Sequence, residues 1–200
     1  MELLTQAEVD SYAKQEKNDS PGYKEYLGGF HFRNRMAAVA ERSCKYSLGD
    51  LIEIGCYAGD TSIRLATVAK EFGRKLVCLD LWKPNDPDYK YEEVEKAFHK
   101  TMEPYKDITE VWKMDAHSPE AVKLIGSRKW AFALSDDGHL YEDHMTELMA
   151  LLPVCDGIVV ADDVHYHTHV TDAMRDSALA NPGWKMLLGD GLREGYMIRG

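Results

Sequence analysis

The side chains best suited to chemistry lie in two acidic stretches, Ser135-Asp136-Asp137-Gly138-His139-Leu140-Tyr141-Glu142 and Asp162-Asp163-Val164-His165-Tyr166. Each follows an apolar run, residues 130–134 and 157–161, that reads as a strand. A parallel sheet would bring both stretches to its carboxyl edge, where open α/β sheets bind ligands. Carboxylates crowded there repel one another unless a cation or protons compensate. Hard oxygen donors of this kind suit Mg²⁺. Asp is equally an N-cap residue, so Asp136 or Asp137 could instead cap the helix that follows, and Asp163 the next one.

A second constellation is Glu53-Ile-Gly55-Cys-Tyr57-Ala-Gly59-Asp-Thr61-Ser62, between a predicted strand at 51–54 and a helix from about 60 to 72. Gly55 and Gly59 allow a tight turn and close backbone approach to a ligand, and a helix N-terminus faces the same crevice. The spacing is neither G-x-G-x-x-G nor a P-loop, which disfavours a dinucleotide pyrophosphate or a nucleoside triphosphate. Asp80 ends the next predicted strand, 76–79, where an acidic residue in nucleotide-binding folds accepts ribose hydroxyls.

The elements that must position these groups alternate. Helices are predicted at 92–102, 118–125 (Ser118 as N-cap, Pro119 at N1), 142–152 and 167–179, with strands at 108–114, 130–134 and 157–161 between them. Two strands, 184–188 and 192–198, flank Gly189-Asp190-Gly191 and read as a hairpin. The pattern predicts a parallel α/β sheet with an antiparallel edge. Residues 1–48 read as a helical extension broken at Ser20-Pro21-Gly22, a cap over the sheet or the site mouth, and residues 49–200 as the ligand-binding domain.

With these elements in place, the chain resembles the class I S-adenosylmethionine-dependent methyltransferases. The resemblance rests on Glu53-x-Gly55-x-x-x-Gly59 followed by Thr61-Ser62, on the strand ending in Asp80, and on the terminal hairpin. It implies a Rossmann-like, doubly wound seven-stranded sheet of order 3-2-1-4-5-7-6. It also implies that Glu53, Gly55, Tyr57, Gly59, Thr61 and Ser62 hold the methionine part of the cofactor, Asp80 the ribose, and Asp115 with Ala116 the adenine. The two acidic stretches resemble the cation-dependent O-methyltransferases, in the branch of macrocin-type sugar O-methyltransferases and cephalosporin-hydroxylase-like proteins. That branch carries Asp-Gly-Asp-His-x-Tyr-Glu after strand four and Asp-Asp-Tyr after strand five. By this likeness Asp136, Asp162 and Asp163 are ligands of Mg²⁺ or another divalent cation, and His139, next to Asp136, is the general base. Asp137 and Gly138 stand in the reverse order of the family's pair, so Asp137 is the alternative first ligand. The implied function is methyl transfer to a hydroxyl of a small molecule such as a sugar or polyphenol. A metal-dependent hydrolase or hydroxylase and a non-catalytic S-adenosylmethionine-binding module remain open on the residues alone.

His165, His167 and His169 recur every second residue; a transition-metal site and a set of surface imidazoles are both compatible, and the second fits better because no further ligand motif accompanies them. Tyr57, Trp82 and Tyr89 could wall a pocket or fill the core, and Phe30-His-Phe32-Arg33-Asn-Arg35 could belong to a lid or begin a surface helix. Among the 200 residues, acids outnumber Lys plus Arg by 34 to 24, giving a net charge of −10 that disfavours nucleic acid as a partner. No apolar run is long enough for a membrane span, and the acidic N-terminus lacks a secretory pattern. Cys44, Cys56, Cys78 and Cys155 form no C-x-x-C pair, which points to a reduced, cytoplasmic setting. The sequence leaves a homo-oligomer open.

Overall fold

The computed structural model describes residues 3–19, 24–83 and 91–200, without the side chains of 16–19 and 24–30. Helices α1 (Gln6–Asp19) and α2 (Lys24–Tyr46) precede β1 (Asp50–Ile54) and α3 (Ser62–Glu71). Next come β2 (Leu76–Asp80), α4 (Tyr91–Met102), β3 (Thr109–Lys113), α5 (Pro119–Gly126), β4 (Trp130–Ser135) and α6 (Tyr141–Leu151). The chain ends with β5 (Cys155–Ala161), α7 (Thr168–Ala180), β6 (Trp184–Leu188) and β7 (Gly195–Arg199). The predicted break at Ser20-Pro21-Gly22, most of the polar loop at 83–88, and Tyr89 lie outside the described residues.

One sheet runs β3-β2-β1-β4-β5-β7-β6. β1 to β5 are mutually parallel, and β7 is antiparallel to both β5 and β6. The period-2 alternation of strand side chains sorts the core into two layers. Leu51, Phe132, Leu134, Ile158 and Val160 face one cluster, completed by Met36 and Val39 of α2, Leu65 of α3 and Phe98 of α4. Ile52, Ile54, Ala133, Val159 and Ala161 face the other, completed by Ile125 of α5, Leu148 of α6 and Met174 of α7. Helices thus cover both faces of a doubly wound sheet.

Helix α2 is tied into that sheet by more than apolar packing. Ser43 Oγ donates to the Ala131 carbonyl and accepts from the Ile158 amide, at a shift in the β4–β5 register. A Cβ on Gly157 would lie 2.1 Å from the same oxygen, so glycine makes room for it. The start of α5 is as expected: Ser118 Oγ accepts from the Ala121 amide, with Pro119 at the first helical position.

The hairpin differs from expectation. Its second strand begins at Gly195, not at residue 192. Leu192 continues the apolar pattern but is buried inside the connecting loop, where its amide bonds to the Gly189 carbonyl. Arg193 and Glu194 turn inward to acidic and basic partners rather than pairing in the sheet.

Candidate active site

The ladder extends one bond past the strand ends: the Gly55 amide donates to Leu79 O, Asp136 to Ile54 O, and Asp162 to Ser135 O, at 2.8–3.0 Å. These bonds draw the loops after β1, β2, β4 and β5 around a cavity of about 890 Å³ at the carboxyl edge. Gly55 adopts φ +86°, and an added Cβ would sit 2.1 Å from the Asp136 carbonyl oxygen, so only glycine lets the β1 and β4 loops touch. Three non-glycine residues described here have left-handed backbones, Tyr57 (φ 48°), Trp82 (φ 42°) and Asp163 (φ 60°). All follow strands at this edge. Such conformations persist where surrounding contacts enforce them, and they cluster at functional sites.

At the β1–β2 end, Asp80 organises the loop. Its Oδ2 accepts from the Cys56 and Tyr57 amides at 2.9 Å each, and its Oδ1 from the Trp82 amide at 2.7 Å. Oδ1 carries one of these bonds against two on Oδ2, so it retains room for a further donor. The Trp82 indole is buried against Phe98 and donates to the Tyr57 carbonyl, while Tyr57 itself is 51% exposed at the mouth. Glu53 lines the cavity and is almost fully buried; its Oε2 lacks a hydrogen-bond partner among the described residues, as does the buried Ser62 Oγ. Burial, with the Asp80 charge acting the same way, pushes the Glu53 carboxyl up to about 8. Thr61 and Asp115 also line the cavity, whereas Ser62 and Ala116 are buried behind its wall.

At the β4–β5 end, Asp136, Asp162 and Asp163 can each place a carboxylate oxygen within 4.8 Å of the others. None caps a helix: Leu140 stands at the N-cap of α6 and His167 at that of α7. The guanidinium of Arg193, from the β6–β7 loop, enters this cluster. Its Nε lies 2.7 Å from both oxygens of Asp162 and 3.3 Å from Asp163 Oδ1; its Nη2 also bonds Asp162 and reaches within 3.9 Å of Asp136 Oδ1. Asp162 is 1% exposed and lies behind the cavity wall, whereas Arg193 lines the cavity. Burial and the neighbouring Asp162 carboxylate push the Asp136 carboxyl well above the usual range. Arg193 is held from outside by the Phe32 ring of α2, 4.8 Å from the guanidinium carbon. Next to it, the buried Glu194 receives both a bidentate bond from Arg35 and the Tyr196 hydroxyl. Phe32 and Arg33 line the cavity and Arg33 pairs with Asp60, so α2 forms part of the site wall.

His139 also lines the cavity, with Nδ1 3.7 Å from Asp163 Oδ2. Asp137 does not reach Arg193's cluster. It belongs to a separate group with His117 and Glu147, and burial together with the Glu147 charge raises its carboxyl to about 7. In that group Glu147 is buried, accepting from Ser135 Oγ at 2.6 Å and bonding His117 Nε2 at 3.0 Å; Ser135 also bonds His144 Nδ1. The Glu147 bond holds the His117 imidazole up at about 9, and burial lowers that of His144. Neither this network nor Arg193 is expected from the sequence. Arg193 sits between turn residues and a strand, where a charge usually meets solvent, and the network joins side chains of α6 to β4 and to the loops that follow β3 and β4. All four cysteines are buried and free.

A family model described as a methyltransferase domain matches residues 52–164. No curated protein matches the chain. Among solved structures, the apo form of CalS11, a TDP-rhamnose 3'-O-methyltransferase of calicheamicin biosynthesis, superposes with a TM-score of 0.62 at 18% identity, covering 96% of this chain and 93% of that one. The O-methyltransferase NovP gives a TM-score of 0.57 at 17% identity over 82% and 78% of the two chains. TomG from Streptomyces achromogenes, an O-methyltransferase solved with S-adenosylmethionine, gives 0.60 at 15% over 96% and 87%. The last three likenesses are of fold, and the sheet order found here is the one the resemblance implied. Since the family model covers more than half of the sequence, the chain belongs to the methyltransferase-domain family, on the class I S-adenosylmethionine-dependent fold.

Proposed function

We propose that the protein transfers a methyl group from S-adenosylmethionine to a hydroxyl of a small molecule, a sugar, a polyphenol or a related natural product. The observation that carries this reading is one cavity with a glycine loop and acidic strand end on one side and a carboxylate cluster with an imidazole on the other. In this reading residues 49–200 bind the cofactor, residues 1–48 cap it through α2, and the protein works in the cytoplasm. No described helix is long and apolar enough to cross a membrane.

The first half fits the cofactor. Glu53 offers a buried oxygen without a partner to the methionine ammonium, Asp80 Oδ1 retains room for a ribose hydroxyl, and Asp115 lines the wall for the adenine. The sulfonium supplies an electrophilic methyl, so the chain must align the acceptor oxygen with it at roughly 3–3.5 Å and dispose of one proton. His139 is the group placed to accept that proton. Asp163 Oδ2 lies 3.7 Å from its Nδ1, beyond hydrogen-bond distance.

The second half fits a hard divalent cation such as Mg²⁺. Asp136, Asp162 and Asp163 hold more negative charge than the single guanidinium of Arg193 balances, with oxygens in mutual reach. Mg²⁺ held there supplies Lewis acidity that lowers the pKa of an acceptor hydroxyl. Arg193 occupies both oxygens of Asp162, so its guanidinium must shift for Asp162 to ligate; Asp136 and Asp163 are less committed.

The test is release of S-adenosylhomocysteine across a panel of catechols, polyphenols and sugars, with Mg²⁺ and with chelator. An O-methylated product formed only with Mg²⁺ supports the whole reading. Metal-dependent turnover without S-adenosylmethionine would support a hydrolase or hydroxylase instead, and cofactor binding without turnover a non-catalytic module.

A further inference from the structure

His167 is not among the residues that line the cavity, and the reaction proposed above has no use for it. The backbone nevertheless turns it back onto the site. The Asp163 carbonyl accepts from both the Tyr166 and the His167 amides, at 3.0 and 2.9 Å. This tight turn, with Asp163 held at φ 60°, stacks the His167 ring on that of His139, centroids 4.6 Å apart and planes 8° apart. His167 stands at the N-cap of α7, yet its side chain makes no cap bond.

Asp163 faces two ways. Its Oδ1 points to Arg193 and the carboxylate cluster, while its Oδ2 lies 3.7 Å from His139 Nδ1. One ring nitrogen from each of His139 and His167 and one oxygen of Asp163 fall within 4.8 Å of one another. Ligand distances to such an ion are about 2.0–2.2 Å, so the two rings must turn out of their parallel stack to converge on it. His165, His167 and His169 form no group of their own among the described residues, in keeping with surface imidazoles: His165 and His169 are exposed, and neither joins this set.

We propose that His139, Asp163 and His167 form a binding site for a borderline transition-metal dication, Zn²⁺ or Co²⁺ rather than Mg²⁺. The donor chemistry decides the class of ion. Imidazole suits Zn²⁺, Co²⁺, Ni²⁺ and Fe²⁺, whereas Mg²⁺ takes oxygen ligands and keeps its waters. Three protein ligands leave a coordination position open, and His139 and Asp163 both line the cavity. The proposal does not depend on methyl transfer. It does set a limit on it, because a ring nitrogen engaged by Zn²⁺ cannot take a proton.

The test is a titration of tag-free, metal-stripped protein with Co²⁺, followed by its visible d–d absorption, with Zn²⁺ competition and with thermal unfolding as the check on folding. One equivalent of Co²⁺ should bind and be displaced by Zn²⁺. His167→Ala should raise its Kd at least tenfold. His167→Asn, which keeps an N-cap side chain, should do the same. His165→Ala and His169→Ala should leave the Kd unchanged. Absence of Co²⁺ absorption in the wild type, an unchanged Kd in folded His167 variants, or a raised Kd in His165→Ala or His169→Ala would each overturn the proposal.

Discussion

The two ends of the cavity balance charge in opposite ways. At the β1–β2 end one carboxylate, Asp80, accepts three backbone amides, and it has no ion pair among the described residues. At the β4–β5 end three carboxylates crowd together and share one guanidinium that arrives from the β6–β7 loop. The first arrangement is local and preformed, as suits a ligand that always has the same shape. The second is assembled from distant parts and leaves unbalanced negative charge, as suits a cation and a variable acceptor. If this contrast is real, changes at one end should spare the other.

The largest expected effect is at His139. His139→Ala should lower turnover by about 10²–10⁴-fold with S-adenosylmethionine affinity intact, read by steady-state rates and calorimetry. Equal losses in both would erase the contrast.

Asp162→Asn tests the guanidinium. Removing one partner of a buried pair costs about 3–5 kcal/mol, and the lower end applies because Arg193 is 31% exposed. Denaturant unfolding should show that loss for Asp162→Asn and a smaller one for Asp163→Asn, which lies nearer the cavity. Matching losses would mean that Arg193 binds the two acids alike.

Gly55→Ala probes the one place where the two ends touch. The added Cβ meets the Asp136 carbonyl at 2.1 Å with φ at +86°, so a destabilisation of about 3 kcal/mol is expected, visible in thermal unfolding. A stability equal to wild type would place the β1 and β4 loops further apart.

Asp80→Ala should weaken cofactor binding by about 1.5–3 kcal/mol, through both loop order and lost hydrogen bonds. Turnover at saturating cofactor should change much less.

The smallest effect is a pH dependence. Burial holds the Glu53 carboxyl up at about 8, so it is largely protonated at neutral pH. An ammonium lodged against it requires the ionised form, and binding must release a proton. Cofactor affinity should therefore rise with pH, by at most about tenfold per unit, and level off above about 8. Glu53→Gln should flatten the profile.

Much of the framework was legible because the central strands alternate between two apolar layers, so Leu51 and Ile52, or Ile158 and Val159, announce a strand buried on both faces. The glycine loop and the two acidic strand ends were legible for the same reason: each directly follows such a run. Leu192 misled because an apolar side chain can be buried in a loop as well as in a strand. Arg193 was not legible, since its partner is 31 residues away and nothing local marks a loop arginine as an inward one. The same holds for Glu147 and His117, which meet across helix α6 and the β3–α5 loop. Adjacent Asp162 and Asp163 looked interchangeable in sequence. The left-handed backbone at Asp163 makes them different, one sealed against Arg193 and the other facing the cavity.

The most direct test of the account is a calorimetric titration of S-adenosylmethionine into the wild-type protein in chelator, repeated with Asp163→Asn. The account predicts one-to-one binding in chelator, with an affinity that Asp163→Asn leaves unchanged. No binding, or binding that appears only when Mg²⁺ is restored, would contradict it.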